Sequence, residues 1–232
     1  FILLFYFILL NNVHANDNFD KWLISFAKFA LKQGVSENTV NNVLISAKFL
    51  PDVIKYDRYQ PEFYEDTKTY VQKRVTNKKV SNGIEIFKKN YEIINQIEKE
   101  FDVEKELLLA LMGIETNYGN YLGKMDIISS LATLSYDKRR SEFFSKELIT
   151  ALKLIDLGLI DSHTLYGSWA GAFGNFQFMP STINKYAIDY DKNNSIDLKS
   201  INDSFASAAN YVSKIGWNRD EPCFKKIVLK NN

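Results

Sequence analysis

The chain has 232 residues, of which 46% are hydrophobic and 25% charged, and its formal net charge is +1. This length can bury a sizeable core, and the balance excludes a disordered chain and any global field that would draw in nucleic acid or an anionic membrane. One cysteine, Cys223, excludes an internal disulfide and a thiolate metal cluster.

The chain begins with ten apolar residues, FILLFYFILL, followed by Asn11, Asn12, Val13, His14 and Ala15. An apolar run, a polar turn and small residues at minus three and minus one (Val13 and Ala15) make residues 1–15 a signal peptide, cleaved after Ala15. A membrane anchor is less favoured, because ten helical residues rise only about 15 Å, half of a hydrocarbon core. No cysteine near the cleavage point could carry a lipid. An export signal without a disulfide framework predicts a periplasmic protein.

The mature part, 16–232, reads as mostly helical. Phe19, Trp22, Leu23, Phe26, Phe29 and Ala30 recur at amphipathic helical spacing. Ser36, three residues before Thr39, marks a helix start, and the pattern from Asn41 to Leu50 is expected to end at Pro51. Asp57 to Glu62, DRYQPE, reads as a turn-like break. Helices are predicted over Tyr70–Val80 and Ile84–Phe101, and a strongly apolar one over Glu104–Met112. Gly167–Pro180, with three glycines, and the polar Asp189–Asp203 depart from helix. The tail Cys223–Leu229 is predicted as a short strand.

Three segments can carry chemistry. Glu115 follows LLLALMGI, at the end of a helix that must be buried. Burial disfavours the charged form of a carboxylate and prepares it to act as a general acid, although a structural cap or ion pair explains the position equally well. In GSWAGAFGNFQFMPST (167–182), glycines allow close approach to a ligand, and Trp169, Phe173, Phe176 and Phe178 offer flat surfaces for sugars. Ser168, Asn175 and Gln177 offer neutral hydrogen bonds to hydroxyl and acetamido groups, while a tight helix-packing loop is the bland alternative. From Asp189 onward, oxygen side chains fall at positions one, three and five (Asp189, Asp191, Asn193), with apolar Ile196 at eight, the spacing of an EF-hand loop. Asn194 stands where glycine is usual, and Ser200 replaces the bidentate glutamate at twelve. Asp203 is the next carboxylate able to close the loop.

Taken in order, these blocks resemble the membrane-bound lytic transglycosylase B family, glycoside hydrolase family 103. GIETNYG (113–119) resembles its catalytic-glutamate motif. SLATLSYD (130–137) with Arg139-Arg140, GSWAGAFGNFQFMPS, the YAIDYDKNNSIDL loop and SAANYVSKIGW (207–217) resemble the rest of its core, and DRYQPE an upstream signature. The resemblance spans about Trp22 to Trp217. It implies a mainly α fold, an α+β lysozyme-like core over about 101–220 with a helical flank over about 16–100 around a glycan cleft. The family pattern continues past the Gly216-Trp217 pair, so its C-terminal part is expected to be missing here.

The resemblance makes Glu115 catalytic and places Ser168, Gln177 and Tyr211 against the glycan. It implies a structural calcium held by Asp189, Asp191, Asn193, the Ser195 carbonyl and Asp203, with no cofactor needed for the chemistry. The implied reaction cleaves the MurNAc–GlcNAc β-1,4 bond of peptidoglycan with formation of 1,6-anhydro-MurNAc. The expected partners are glycan strands, with cell-wall synthesis or division proteins beside them. On sequence alone Asp126 and Asp137 stay open as second carboxylates, which keeps a hydrolytic muramidase as a rival. A non-catalytic peptidoglycan-binding protein is the other.

Overall fold

The computed structural model describes residues 2–59 and 65–221, with side chains from Asp17 onward. The architecture is mainly helical with one small sheet, as the sequence predicts. Its centre is α8 (Ile127–Tyr136), in which every residue from Ile127 to Ser135 is buried. In a helix buried all round, polar side chains can find partners only inside the protein, and the Ser130 and Ser135 hydroxyls find none among the described residues. Ser129 and Thr133 instead accept the backbone N–H groups of Lys48 and Leu50 at 2.9 and 3.0 Å. This ties the irregular stretch before Pro51 to the core.

Helix α1 (Ile2–Lys32) buries Phe19, Leu23, Phe26 and Ala30, and its aromatic face meets Tyr136 at the end of α8. The segment expected as a leader continues into this helix, and Phe19 is the first buried residue among the side chains described from Asp17 onward. No described helix is long and apolar enough to cross a membrane. Ser36 caps α2 (Glu37–Asn42), accepting the Thr39 N–H at 3.1 Å, and its hydroxyl donates to Asp156 at 2.6 Å. That carboxylate ends α9 (Ser141–Asp156), the long helix beside α8.

Several helix boundaries differ from those predicted. The stretch 41–50 is not one helix: α2 stops at Asn42, a 3-10 turn covers Leu44–Ser46, and the chain then extends. Pro51 starts α3 (Pro51–Arg58) instead of ending a helix, because proline at the first helical position lacks only an N–H that would be orphaned anyway. The predicted 70–80 and 84–101 resolve into α4 (Thr67–Arg74), α5 (Asn77–Lys89) and α6 (Tyr91–Phe101). Thr76 caps α5 by accepting the Lys79 N–H, and Asn90 breaks the chain before α6. Gln60 to Glu62 and the predicted strand 223–229 lie outside the described residues.

Asp57 and Arg58 therefore belong to α3, not to a turn. Asp57, 1% exposed, accepts from both Arg139 and Arg140, and Arg58 reaches Asp137 at 2.9 Å. Asp57 and Arg58, paired with Arg139, Arg140 and Asp137, thus clamp α3 to the link between α8 and α9.

Candidate active site

Helix α7 (Lys105–Thr116) carries Glu115. Leu108, Met112 and Thr116 recur every four residues and are buried, which fixes one face against the core. Leu111 and Glu115, also four apart, lie on the neighbouring face and line a cleft of about 230 Å³. The helix ends through three consecutive residues with left-handed backbone, Asn117, Tyr118 and Gly119. The Tyr118 side chain turns back beneath α7, and its hydroxyl donates to the Lys79 carbonyl of α5 at 2.9 Å.

The opposite wall is the loop following the two-stranded sheet. Strands β1 (Met125–Asp126) and β2 (Tyr166–Gly167) pair antiparallel, Met125 with Gly167 and Asp126 with Tyr166. The chain then closes a tight loop in which Phe173 and Phe178 exchange backbone hydrogen bonds of 3.1 and 3.0 Å. Gly174, at φ +79, lies so close to Leu198 that an added β-carbon would stand 2.5 Å from the leucine's own. Gln177, at φ +50, lines the cleft, with its amide nitrogen held by the carbonyls of Leu122 and Gly174. Met179 and Thr182, at the start of α10 (Pro180–Tyr186), complete this side. Glu147 of α9 anchors the start of α10, accepting both the N–H and the hydroxyl of Ser181. Helix α11 (Ile201–Lys214) contributes Ala208, Tyr211 and Val212 as the remaining wall.

Glu115 makes no hydrogen bond or ion pair among the described residues. Glu115 is exposed yet lines a largely apolar cleft, and partial desolvation raises its pKa above the ordinary carboxylate value. Among the described residues it is the one acidic group in the cleft lining. Asp126 and Asp137 are engaged elsewhere. Asp126 caps α8 through the Ser129 N–H at 2.6 Å, and Asp137 holds Arg58.

Of the residues picked from sequence, Glu115, Gln177 and Tyr211 come together in one cleft. Ser168 does not join them: its hydroxyl accepts the Ala172 N–H at 3.1 Å and closes a turn. Asn175 is 3% exposed and faces inward, so it cannot offer its amide to a sugar. The approach the glycines permit is to the protein itself, Leu131 beside Gly171 and Leu198 beside Gly174. Phe173, Phe176 and Phe178 are each 7% exposed and serve mainly as core, although Phe176 and Phe178 show an edge to the cleft. Leu111, Thr182, Ala208 and Val212 were not picked from sequence. The last two share the helical spacing of Tyr211, a signal that points to a common face without saying what the face meets.

The Asp189–Asp203 segment forms a loop turned inward on its own oxygens. Asp189 accepts the N–H groups of Asn193 and Asn194, Asn193 that of Ser195, and the left-handed Asn194 supplies the turn. Carboxylate oxygens of Asp189, Asp191 and Asp203 lie within 4.8 Å of one another. Asp203 is fully buried and accepts from Tyr190 and Asp197, each at 2.8 Å. An all-oxygen set with three carboxylates fits a hard cation with flexible coordination, as calcium is.

Residues 18–232 match the family described as the transglycosylase SLT domain. The membrane-bound lytic murein transglycosylase B of Escherichia coli is 32% identical over an alignment of 217 residues that covers 89% of this chain and 58% of that protein. The structure of SltB3 from Pseudomonas aeruginosa in complex with NAG-NAM-pentapeptide superposes with a TM-score of 0.84 at 34% identity, over 88% of this chain and 55% of that one. The Escherichia coli lytic transglycosylase Slt35 in complex with calcium gives 0.75 at 32% identity, over 89% and 65%. The chain thus spans between about half and two thirds of the length of these relatives. With a family match running over nearly its whole length, the chain belongs to the transglycosylase SLT domain family.

Proposed function

We propose that the chain is a peptidoglycan lytic transglycosylase, cutting between N-acetylmuramic acid and N-acetylglucosamine with Glu115 as its single acid/base. The observation that carries this reading is that, among the described residues, Glu115 is the single carboxyl in a cleft whose other lining residues are apolar or neutral. A glycosidase that uses water or an enzyme nucleophile places a second carboxylate across the scissile bond. Here the facing wall offers Gln177, Thr182 and Tyr211 instead.

The chemistry follows from that inventory. Glu115, whose desolvation makes it hold its proton more tightly, gives that proton to the glycosidic oxygen as the bond to the anomeric carbon breaks. The muramoyl acetamido oxygen relieves the positive charge at that carbon. The Glu115 carboxylate then takes the proton from the C6 hydroxyl, whose oxygen bonds to the anomeric carbon and closes the 1,6-anhydro ring. Glu115 ends protonated, ready for another turn, and no water is consumed. The C6 hydroxyl is tethered to the reacting sugar, so its attack has the advantage of an intramolecular step. Tyr211 and Gln177 are proposed to hold the glycan, one by its ring face and one by its amide oxygen. A relative, SltB3 from Pseudomonas aeruginosa, has been solved in complex with NAG-anhNAM-pentapeptide, which supports an anhydro product.

The same reading gives the Asp189–Asp203 loop a structural calcium, held by Asp189, Asp191, Asn193, the Ser195 carbonyl and Asp203. It also makes residues 1–15 an export signal and the periplasm the place of action, where the murein lies.

The test is the product. Murein digested with the purified protein should yield muropeptides ending in 1,6-anhydro-N-acetylmuramic acid, lighter by one water than hydrolysis products and inert to borohydride. Heavier, reducible products mean a muramidase. Absence of any released fragment means a binding protein.

A further inference from the structure

We propose that Asn175 is a positioning residue that couples the calcium loop to Glu115, so that calcium and glycan each strengthen binding of the other. This rests on the transglycosylase reading and on the loop as a calcium site.

The case is a continuous set of buried contacts. Asn175 lies in the loop between Phe173 and Phe178, directly before cleft residues Phe176, Gln177 and Phe178. Its carbonyl accepts the Thr116 hydroxyl at 2.8 Å. Thr116 follows Glu115 on the last turn of α7, and its oxygen also accepts the Gly119 N–H at 3.0 Å, fixing how that helix ends. On the other side, the Asn175 N–H donates to the Leu198 carbonyl at 2.8 Å. Its side-chain nitrogen donates to the Lys199 carbonyl and the Ser204 hydroxyl, each at 3.0 Å. Leu198 and Lys199 lie on the outgoing arm of the Asp189–Asp203 loop, one and two residues beyond Asp197, whose N–H is held by the buried Asp203 carboxylate. One residue therefore joins both cleft walls to the outgoing arm of the loop.

The physical consequence follows from the packing. Gly174 lies against Leu198 with no room for a side chain, so a shift of the outgoing arm cannot be absorbed there. A cation drawing Asp189, Asp191 and Asp203 together fixes Asp203 and the Asp197 N–H it holds, and with them Leu198 and Lys199. Asn175 passes that order to the end of α7 and to Gln177. Two sites coupled through one packed element affect each other reciprocally.

Binding titrations with calcium alone, with NAG-anhNAM-pentapeptide alone, and with each in the presence of the other test this. In the wild type, saturating calcium should tighten fragment binding about 5-fold or more, and the fragment should tighten calcium by the same factor. In Asn175→Ala both ligands should still bind while the mutual factor falls below about twofold. Thr116→Val cuts the same path from the α7 side while keeping the branched shape, and it should behave alike if Asn175→Ala does not fold. A purely structural asparagine would weaken binding yet leave the mutual factor intact. Independent binding in the wild type, or an unchanged factor in a folded variant, overturns the coupling alone. If calcium does not bind at all, the metal reading falls together with it.

Discussion

The Tyr118 hydroxyl stands 2.7 Å from the place a β-carbon on Gly113 would occupy, and 2.5 Å from the place of one on Gly83. The ring is thus sandwiched between α7 and α5, with its hydroxyl fixed on the Lys79 carbonyl. Replacing a helix-interior glycine by alanine usually stabilises by up to about 1 kcal/mol. At Gly113 the sign should reverse. The ring cannot retreat, because Gly83 holds its other side. We expect Gly113→Ala to cost about 1–3 kcal/mol by overpacking, read by denaturant titration. Tyr118→Phe should lose about 1 kcal/mol through the missing hydrogen bond. A more stable Gly113→Ala protein would contradict this packing.

Glu115→Gln should keep the fold and abolish release of muropeptides. Loss of a general acid alone costs about 10²–10⁴-fold, and in the proposed mechanism the same group also serves as the base. Near-wild-type turnover by the folded variant would remove Glu115 from the chemistry.

The direction of the Glu115 shift gives a second, independent expectation. Its folded-state pKa is raised by desolvation, so the folded protein binds this proton more tightly than the unfolded chain does. The stabilisation this gives is complete below the unfolded pKa and disappears as pH rises through the folded value. An ionised Glu115 carboxylate is penalised by its partial desolvation, whereas glutamine has no charge to desolvate. Glu115→Gln should therefore melt no lower than wild type at pH 7, with its relative advantage vanishing under acid conditions. For the same reason kcat/KM should fall as pH rises above the Glu115 pKa, because the acid form starts the reaction. A variant that melts well below wild type at pH 7 would mean that Glu115 has a stabilising partner.

Calcium should raise the melting temperature, and a chelator should reverse the effect. A ligand that binds only the folded state adds about 2.7 kcal/mol at a hundredfold excess over its Kd. Magnesium, which demands a smaller octahedral cage, should not substitute. Asp203→Ala should be severe even without metal, at roughly 2–5 kcal/mol, because the N–H groups of Tyr190 and Asp197 lose their buried acceptor. Identical melting curves in calcium and chelator would reduce the loop to a polar turn.

Asp57→Ala would leave Arg139 and Arg140 without the carboxylate they share. Breaking a buried pair costs about 3–5 kcal/mol. Both guanidinium groups keep solvent contact, at 47% and 39% exposure, so we expect roughly 2–3 kcal/mol, checked by chemical unfolding.

Local chemistry made part of this protein readable from its sequence. Ser36 caps a helix because its hydroxyl reaches the Thr39 N–H three residues on, and no distant residue is needed for that. The helical class, the break at 167–180 and the oxygen-lined loop from Asp189 are equally local, set by periodicity, glycine and side-chain spacing. The position of Glu115 after LLLALMGI already implied a carboxyl at the edge of a core. Tertiary structure decided what each polar group faces. Ser168, Asn175 and Gln177 look alike in sequence as neutral hydrogen-bonding residues. Folding turns Gln177 to the cleft, closes Ser168 onto Ala172 and buries Asn175 against Lys199 and Ser204. Pro51 could end a helix or begin one, and the choice fell to the hydroxyls of α8, which hold the preceding chain extended. Asp126 and Asp137 were rival carboxylates until packing gave one to a helix cap and the other to Arg58. Ser168 and Asp126 close on partners within four residues, whereas Asn175, Asp137 and the chain before Pro51 meet partners tens of residues away, which only burial of the shared core brings within hydrogen-bonding distance.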